Sequence, residues 1–388
     1  MRARLLVLLA GCSFHSSPGT TVDGNPPPPA DAIDASPPTS WWDPAWPHRR
    51  LLDVTTGSVR PDKGYQGYTA RLARLDPATL AGLDVACDGL RIAWYDGAAW
   101  NELPRHVIGC GTPNLDVRFS LPMDIADSST WSQAYLYYGN PSPLPAASAL
   151  GTSVYLWWDD ASTDHGADYV HGRMDPWLLT GWDDSLAWNA DGSYHYDTGD
   201  DSQSSYRRAV DERDVLVEAE WFHTGCYLNN MQTAVCARGI ITSGVFSQEN
   251  SDAYYCTTRA QNPICNDVDE AIYDGDIVKT DNETIAITGT VDPPPIVTSQ
   301  WRTQALAVFG AHPTQLRFWD ANASWPALAA PPADRLLATG TDQVDYTERG
   351  FAGIMVAQDI ARVRNIVIRR YVEPEPGVSV GPEETLAH

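Results

Sequence analysis

The stretch Val215-Leu216-Val217-Glu218-Ala219-Glu220-Trp221-Phe222 decides the fold class. Its acidic residues alternate with apolar ones, which is the pattern of a β-strand with one dry face and one solvent-facing face. Short apolar stretches recur from Trp41 onward between clusters of Gly, Pro, Asn and Asp, with little sign of a helical period. This spacing is typical of sandwich or barrel strands, and we predict an all-β chain built of two sandwiches.

Two groups of strands are predicted, separated by the Pro-, Ala- and Ser-rich stretch 143–151. The first sandwich spans residues 41–145 and has alternating patterns at 90–95 and 134–138. The second spans 151–385, with strands expected at 154–158, 215–222, 284–291, 304–309, 315–319, 353–357 and 365–371. One short helix is predicted over 77–83, with Asp76 as its cap and Pro77 in the first helical position.

The amino-terminal residues have the shape of an export signal. Positive charge at Met1, Arg2 and Arg4 precedes an apolar run that ends in Leu9-Ala10-Gly11-Cys12. This ending resembles the lipobox of bacterial lipoproteins, in which the Cys sulfur receives a diacylglycerol before cleavage. The resemblance implies a signal peptide over 1–12 and lipid attachment at Cys12. Because Ser13 follows, it also implies sorting to the outer membrane, facing the periplasm or the cell surface. The alternative is an ordinary secretory signal with a chance Cys.

Residues 13–40 consist largely of Ser, Thr, Gly, Pro and Asp and contain almost nothing that could anchor a core. We predict a disordered, extended tether here. No later stretch approaches the roughly 20 apolar residues of a membrane-spanning helix. The membrane is therefore expected as a partner only through the lipid anchor.

The net charge of −24, from 50 acidic and 26 basic residues, excludes nucleic acid as a partner, because little could neutralise phosphates. Acidic loops such as residues 197–201 are candidates for holding calcium. No other cofactor is predicted, and the sequence leaves open whether any metal binds.

Six cysteines remain once Cys12 is set aside, and an even number in an exported chain favours disulfides. Their spacings suggest three local pairs: Cys87 with Cys110, Cys226 with Cys236, and Cys256 with Cys265. None has the C-x-x-C spacing of a zinc or redox site, so a metal site is the less favoured alternative.

Three stretches of the first region carry a family resemblance: Trp42-x-x-x-Trp46-x-x-Arg49-Arg50, Asp88-Gly89-Leu90-Arg91-Ile92-Ala93-Trp94, and the closing Tyr137-Tyr138-Gly139-Asn140. Together they resemble the bacterial family known as domain of unknown function 2341. In that family a concanavalin A-like lectin and glucanase module often follows. Trp158-Asp159-Asp160 and Ile368-Arg369-Arg370-Tyr371-Val372-Glu373-Pro374-Glu375-Pro376 are similar to the opening and closing segments of such a module. The resemblance implies that the second sandwich is a concanavalin A-like jelly roll.

Aromatic residues crowd the stretch 177–196, next to Asp and Asn side chains. Rings that stack on sugar faces beside hydrogen-bonding groups are typical of carbohydrate recognition. The ligand-binding candidates are Trp177, Trp182, Tyr194 and Tyr196, and Trp188 lies in the same stretch. Burial in a sandwich core is the alternative for each ring.

A glucanase on the same scaffold would need two carboxylates about 5.5 Å apart on one strand face. Asp211-Glu212-Arg213-Asp214 runs on consecutive positions, and Glu218-x-Glu220 lacks a third carboxylate. We interpret these acids as a solvated strand face and predict no catalytic residue. His165 and His171 lie in an acidic segment, which we interpret as a loop rather than a transition-metal site.

The sequence therefore predicts a lipid-anchored envelope or surface protein that recognises carbohydrate or another surface polymer without catalysis. Polysaccharide is the candidate ligand. A purely structural envelope lipoprotein is the first alternative, and a glycoside hydrolase is the second.

Overall fold

The computed structural model describes residues 40–386 with internal gaps. The gaps are 81–82, 84–86, 113–114, 144–150, 173–186, 198–201, 227–229, 242–250, 262–271, 280–285, 289–299, 312, 322–335, 343–348 and 358. This part of the chain belongs to one compact unit, Ala35–His388. No helix among the described residues is long and apolar enough to cross a membrane.

The predicted all-β class is confirmed: the regular elements described are strands and short 3-10 turns. In chain order the strands are β1 (His48–Thr55), β2 (Thr69–Leu75), β3 (Arg91–Tyr95), β4 (Trp100–Glu102), β5 (Arg105–Ile108), β6 (Leu115–Ser120), β7 (Thr130–Tyr138), β8 (Trp157–Asp159), β9 (Tyr169–Gly172), β10 (Ala187–Asn189), β11 (Ser193–Asp197), β12 (Ser202–Glu212), β13 (Val215–Cys226), β14 (Asn230–Ile241), β15 (Ser251–Gln261), β16 (Ile272–Lys279), β17 (Ala286–Thr288), β18 (Trp301–Phe309), β19 (Thr314–Ala321), β20 (Leu336–Asp342), β21 (Gly350–Ala357), β22 (Asp359–Arg370) and β23 (Gly377–Thr385). Short 3-10 turns lie at Pro77–Thr79, Gly151–Ser153 and Gly166–Asp168.

The helix predicted over 77–83 is a single 3-10 turn, Pro77–Thr79. Asp76 caps it as expected, because its side chain accepts a hydrogen bond from the Ala78 N–H. The turn stops where Leu80 leaves helical geometry and is buried in the first core. The cap was readable from the sequence, whereas the burial of Leu80 in the first core was not.

The first sandwich packs a five-stranded sheet, β23-β1-β7-β3-β4, against a three-stranded sheet, β2-β6-β5. Its core contains alternating residues from both sheets, including Leu52, Ile92 and Leu136 from one and Leu72, Val117 and Phe119 from the other. The predicted Cys87–Cys110 disulfide is formed, with a Cα–Cα distance of 5.9 Å. It ties the loop before β3 to the loop after β5.

The second sandwich packs a nine-stranded sheet against a six-stranded one. The large sheet runs β10-β11-β22-β13-β18-β19-β20-β17, with β8 beside β22, and the small sheet runs β16-β15-β14-β21-β12-β9. The chain repeatedly crosses between them, since β12 lies in the small sheet while β11 and β13 lie in the large one. This crossing pattern is that of a jelly roll and confirms the predicted fold class. Its core includes Trp221, Leu306 and Phe318 on one side and Val235, Ile354 and Val356 on the other.

The last strand, β23, was predicted to lie in the second sandwich, which was assigned residues 151–385, but it pairs elsewhere. β23 pairs antiparallel with β1, so Val378 lies opposite Val54 and Glu384 opposite Arg49. Val378 and Val380 pack against the first core. The carboxyl-terminal strand therefore belongs to the first sandwich, because its apolar side chains complete that core.

The two other predicted cysteine pairs stay predictions. Cys236 is buried on β14, and no disulfide to it is seen among the described side chains. The side chains of Cys226 and Cys256 and all of Cys265 lie outside the described residues. Cys12, the proposed signal peptide and the tether up to residue 39 also lie outside them.

Candidate ligand-binding face

The aromatic residues predicted to bind a ligand do not form an exposed group among the described residues. Tyr194 and Tyr196 are 0% and 1% exposed and belong to the core of the second sandwich. They cannot stack on a ligand from solvent, which corrects the prediction for these two rings. Trp177 and Trp182 lie outside the described residues. Trp188 is 36% exposed on β10, and its indole N–H donates to the Ala161 carbonyl.

Tyr194 has a structural task instead. Its hydroxyl and that of Tyr169 each donate to Asp159 Oδ2 at 2.9 Å, and the Ala161 N–H donates to Asp159 Oδ1. Burial raises the pKa of Asp159, opposed by these hydrogen bonds. Asp159, from the motif Trp158-Asp159-Asp160, therefore fixes the loop that follows β8 rather than meeting a ligand.

The acids predicted to form a solvated strand face are covered. Val217, Ala219 and Trp221 do face the core, so the dry face of β13 is confirmed. Glu218 and Glu220 are 3% and 0% exposed, however, so the expected wet face is wrong. Alternation identifies the two faces of a strand, but it carries no information about what packs on the polar one.

The cover over Glu218 is the first sandwich. Arg118 of β6 donates to both Glu218 oxygens at 3.2 and 3.3 Å, and Arg369 of β22 lies at 3.4 Å. Burial opposes the charged form of Arg118, but electrostatic interactions with Glu218, Tyr155 and Asp116 raise its pKa above the ordinary value. Arg369 also makes a two-pronged contact with Glu375 at 2.9 Å. Glu218 is thus part of a buried charge network that joins the two sandwiches.

The carboxylates of the 211–214 stretch are also engaged at this junction. Glu212 accepts from Lys63 at 2.9 Å and from Arg370 at 3.3 Å. Asp214 accepts the backbone N–H groups of Asp62 and Gly310. Both acids are 6% exposed, so they bind the first sandwich and a neighbouring turn rather than face solvent.

A different set of side chains forms a solvent-facing row on the outer side of the large sheet. His195 of β11, Arg362 of β22, Phe222 of β13 and Trp301 of β18 lie directly opposite one another in the strand registers. Each is partly exposed. We call this row, together with Asp191, Glu220, Arg364 and Asn365, the Trp301 face.

Each aromatic ring of the Trp301 face contacts the guanidinium group of an arginine. The Phe222 and Trp301 ring centroids lie 5.3 Å apart in a tilted arrangement. The Arg364 guanidinium lies 3.9 Å from the Trp301 ring centroid, and that of Arg362 lies 5.5 Å from Phe222. Cation–π contacts of this kind hold a guanidinium in place while leaving its edge accessible.

A β-bulge shapes the centre of the face. Between the pairs Glu218–Val367 and Glu220–Arg364 the strand β22 has one extra residue, and Asn365 takes a φ of 50°. As a result, Arg364 Nε and Asn365 Nδ2 both donate to Glu220 Oε2 at 2.8 Å. Bulges often re-aim side chains in this way, and Asn tolerates the left-handed conformation better than most residues. The bulge therefore orients Arg364 over Trp301.

Asp191, in the turn between β10 and β11, closes the opposite end of the row. Its Oδ2 accepts from His195 Nε2 and Arg362 Nη1, both at 3.0 Å, and its Oδ1 accepts from Ser193. Burial works against its charged form, but the hydrogen bonds from Ser193 and His195 and the charge of Arg362 lower the pKa of Asp191 overall. Asp191 is therefore ionised at neutral pH and holds Arg362 in place.

Sequence reasoning missed the Trp301 face because its members come from strands far apart in the chain. The usable signal was the alternation of inward-facing and outward-facing positions along each strand. His195, Phe222 and Arg362 each stand between two buried neighbours, which marks them as outward-pointing residues of half-buried strands. This alternation does not reveal which strands are adjacent in the sheet, so the row across four strands could not be predicted from it.

The remaining metal candidates find no support among the described residues. No group of three or more His, Cys, Asp or Glu side chains there could hold a metal ion. His165 contacts Thr163 Oγ1 at 2.9 Å and Asp168 Oδ2 at 3.4 Å within its loop. The His171 side chain and residues 198–201 of the proposed calcium loop lie outside the described part.

No protein-family model matches the chain, and no characterised protein matches its sequence. Several solved structures show partial similarity to the chain. A Bacillus subtilis protein of unknown function with a galectin-like fold has 9% identity and a TM-score of 0.36, covering 56% of this chain and 96% of its own. The carbohydrate-binding module CBM66 from Bacillus subtilis has 14% identity and a TM-score of 0.28, covering 46% and 91%. Alginate lyase vAL-1 from Chlorella virus has 8% identity and a TM-score of 0.28, covering 56% and 100%.

Proposed function

We propose that this chain is a lipid-anchored protein of the bacterial envelope that binds carbohydrate through the Trp301 face, without catalysis. The supporting observation is the row of partly exposed rings and polar side chains across four strands of the large sheet. Rings supply apolar contact to a sugar, while charged and amide groups beside them hydrogen-bond its hydroxyls. The export-signal shape of residues 1–12, ending in the lipobox-like Leu9-Ala10-Gly11-Cys12, supports the envelope setting.

The absence of catalysis is part of the proposal. A glycoside hydrolase needs one carboxylate to donate a proton and a second to act as nucleophile or base. The acids that the sequence offers for this work, Glu212, Asp214, Glu218 and Glu220, are each buried and hydrogen-bonded to cations or backbone N–H groups. Such contacts hold carboxylates in place and leave them poorly placed to reach a glycosidic oxygen. Incubation with bound polysaccharides should release no reducing ends.

A glycan array and polysaccharide pull-down, with and without calcium, test the binding. We expect micromolar to millimolar dissociation constants, because each sugar hydroxyl exchanges bonds to water for bonds to protein. Phe222→Ala and Trp301→Ala should weaken binding at least about tenfold, because each removes an aromatic ring and the contact that this ring makes with an arginine guanidinium. Trp188→Ala is the matched control, because this ring is exposed but lies outside the row.

Three outcomes would contradict the proposal. The first is no binding to any polysaccharide, which would favour the purely structural envelope role. The second is loss of binding in Trp177→Ala or Trp182→Ala but not in the Trp301-face variants, which would move the site back to the 177–196 stretch. The third is release of reducing ends, which would establish that the protein cleaves the polysaccharide; water incorporation without an unsaturated sugar product would identify a hydrolase.

A further inference from the structure

We propose that the saccharide bound by the Trp301 face is acidic, with a carboxylate or sulfate that contacts Arg362 and Arg364. This inference rests on the proposed function and specifies its ligand class. Two observations support it: the ring and carboxylate contacts that fix each guanidinium, and the number of its N–H groups that already donate a hydrogen bond.

Arg364 is held on two sides. Its guanidinium lies over the Trp301 ring at 3.9 Å, and its Nε donates to the fully buried Glu220. No acceptor for either terminal nitrogen is present among the described residues. A guanidinium has five N–H donors, so most of those on Arg364 stay available. A sugar approaching Trp301 therefore meets a fixed cationic donor rather than a bare ring face.

Arg362 repeats the arrangement two residues along the strand. It lies against Phe222 and uses Nη1 to bind Asp191, and no other acceptor among the described residues contacts it. Its side chain is 38% exposed, and that of Arg364 is 32% exposed. Residues two apart on a strand project from the same face about 7 Å apart. Two guanidinium groups in this position can contact one acidic group or two neighbouring ones.

The burial and position of the acids that pair with Arg362 and Arg364 determine which charges the Trp301 face exposes. Glu220 is completely buried beneath Arg364, so its negative charge lies away from solvent; Arg364 offsets that charge, and Asn365 donates a hydrogen bond to it. Asp191 is 35% exposed, but it lies at the end of the row, beyond His195. The centre of the face therefore presents positive donors, whereas the acidic partners lie below or beside them.

The net charge of −24 does not exclude an acidic ligand. At physiological ionic strength the Debye length is about 8 Å, so exposed charges farther away are largely screened. Short contacts between a guanidinium and a carboxylate or sulfate are charge-assisted and geometrically matched. Local donors therefore outweigh the distant acidic surface once the ligand is in contact.

A matched pair of ligands tests the inference. Polygalacturonate and its fully methyl-esterified form differ in charge and in the ester methyl groups, and their binding is compared by affinity electrophoresis and calorimetry at 0.15 M salt. We expect the acid to bind at least about tenfold more tightly than the ester. Arg362→Gln and Arg364→Gln should each weaken binding of the acid by about tenfold and change that of the ester little. Arg317→Gln, which removes another arginine of the large sheet paired with Glu373, is the control.

Arg364→Gln removes a cation that contacts the buried Glu220, so this variant is checked for folding by circular dichroism. Arg362→Gln carries less risk because its partner Asp191 is partly exposed, so it keeps the test decisive if Arg364→Gln fails to fold. Equal binding of acid and ester, or equal losses for both in the arginine variants, would overturn the acidic ligand class. Failure of the proposed function has a different signature: neither form of any polysaccharide binds, or binding is unaffected by Trp301→Ala and Phe222→Ala.

Discussion

Arg118 of the first sandwich and Glu218 of the second form a salt bridge of 3.2 Å at which both side chains are almost fully buried. Asp116 lies 3.5 Å from Arg118, and Arg369 lies 3.4 Å from Glu218, so the pair belongs to a larger network. Charges withdrawn from water to this extent are costly unless each has its partner. The network therefore makes the junction between the sandwiches sensitive to loss of any one member.

Replacing one member of the Arg118–Glu218 pair should destabilise the protein strongly. Arg118→Met or Glu218→Leu leaves a buried charge without its main partner and should cost about 3–5 kcal/mol, measured by denaturant unfolding. The double variant should recover part of that loss. Arg60→Met, which breaks the solvent-exposed ion pairs with Asp124 and Asp127, serves as control and should cost less than about 1 kcal/mol. Equal losses in the buried and exposed variants would contradict the network.

The Cys87–Cys110 disulfide should stabilise the first sandwich. It closes a loop with a sequence separation of 23 residues. In the chain-entropy model a loop of that size is worth about 3 kcal/mol through restriction of the unfolded chain. The Cys87→Ala/Cys110→Ala double variant should lose that amount in chemical unfolding, and a reductant should not weaken its first sandwich further. Unchanged stability would show that the bridge contributes nothing.

His106 should make stability depend on pH. Burial, and secondarily the charge of Arg118, lowers the pKa of His106 from 6.5 to about 4, while Asp160 and Glu218 act in the opposite direction. The ring lies against Trp158 and has its Nδ1 3.0 Å from the Tyr155 hydroxyl.

As pH falls from about 6.5 to about 4, the unfolded chain takes up a proton on His106 that the folded protein does not. Stability should therefore fall across this window by up to about 3 kcal/mol and not depend on this group at higher pH. His106→Gln should flatten the pH profile of the unfolding free energy in this range. A profile as steep as that of the wild type would refute the assignment.

Deleting residues 377–388 should destabilise the first sandwich. The deletion removes β23, with Val378 and Val380 from the core and the Glu384 contact of Arg49, and it exposes an edge of β1. We expect a loss of at least about 3 kcal/mol and faster hydrogen exchange of the β1 amides. A deletion of residues 387–388 alone is the control. Unchanged exchange in β1 would contradict the pairing.

Lipid attachment at Cys12 is testable in cells. Only a cysteine sulfur at this position can carry the diacylglycerol, so Cys12→Ala should lose a radioactive fatty-acid label and leave the membrane fraction. Ser13→Ala should keep both. A labelled, membrane-bound Cys12→Ala protein would rule out the anchor.

The sequence predicted the parts of the fold that depend on local alternation. β13, β18, β19, β21 and β22 lie where apolar residues recur with a period of two, and Val217 and Trp221 face inward as expected. Glu218 shows the limit of that reasoning, because its partner Arg118 lies 100 residues away in the chain. The same limit hid the Trp301 face, whose members are neighbours only through sheet register.

Tyr194 and Tyr196 illustrate a second limit. A cluster of aromatic residues in sequence signals a place where rings are needed, but a large ring gains more from burial than from exposure. In this strand the polar residue between them, His195, is the one that faces solvent. The period of two was visible in the sequence; which of the two faces was covered was not.

The pairing of β1 with β23 also has a consequence for the order of folding. His48 and Thr385 are neighbours in the sheet although 337 residues separate them. The sheet of the first sandwich therefore lacks its edge strand β23 until the chain has passed through the whole second sandwich. Pairings this distant in sequence form slowly, and an open edge invites contact with other chains in the meantime. The first sandwich is thus completed only when residues 377–385 pair with β1, and until then the open edge of β1 is available to other chains.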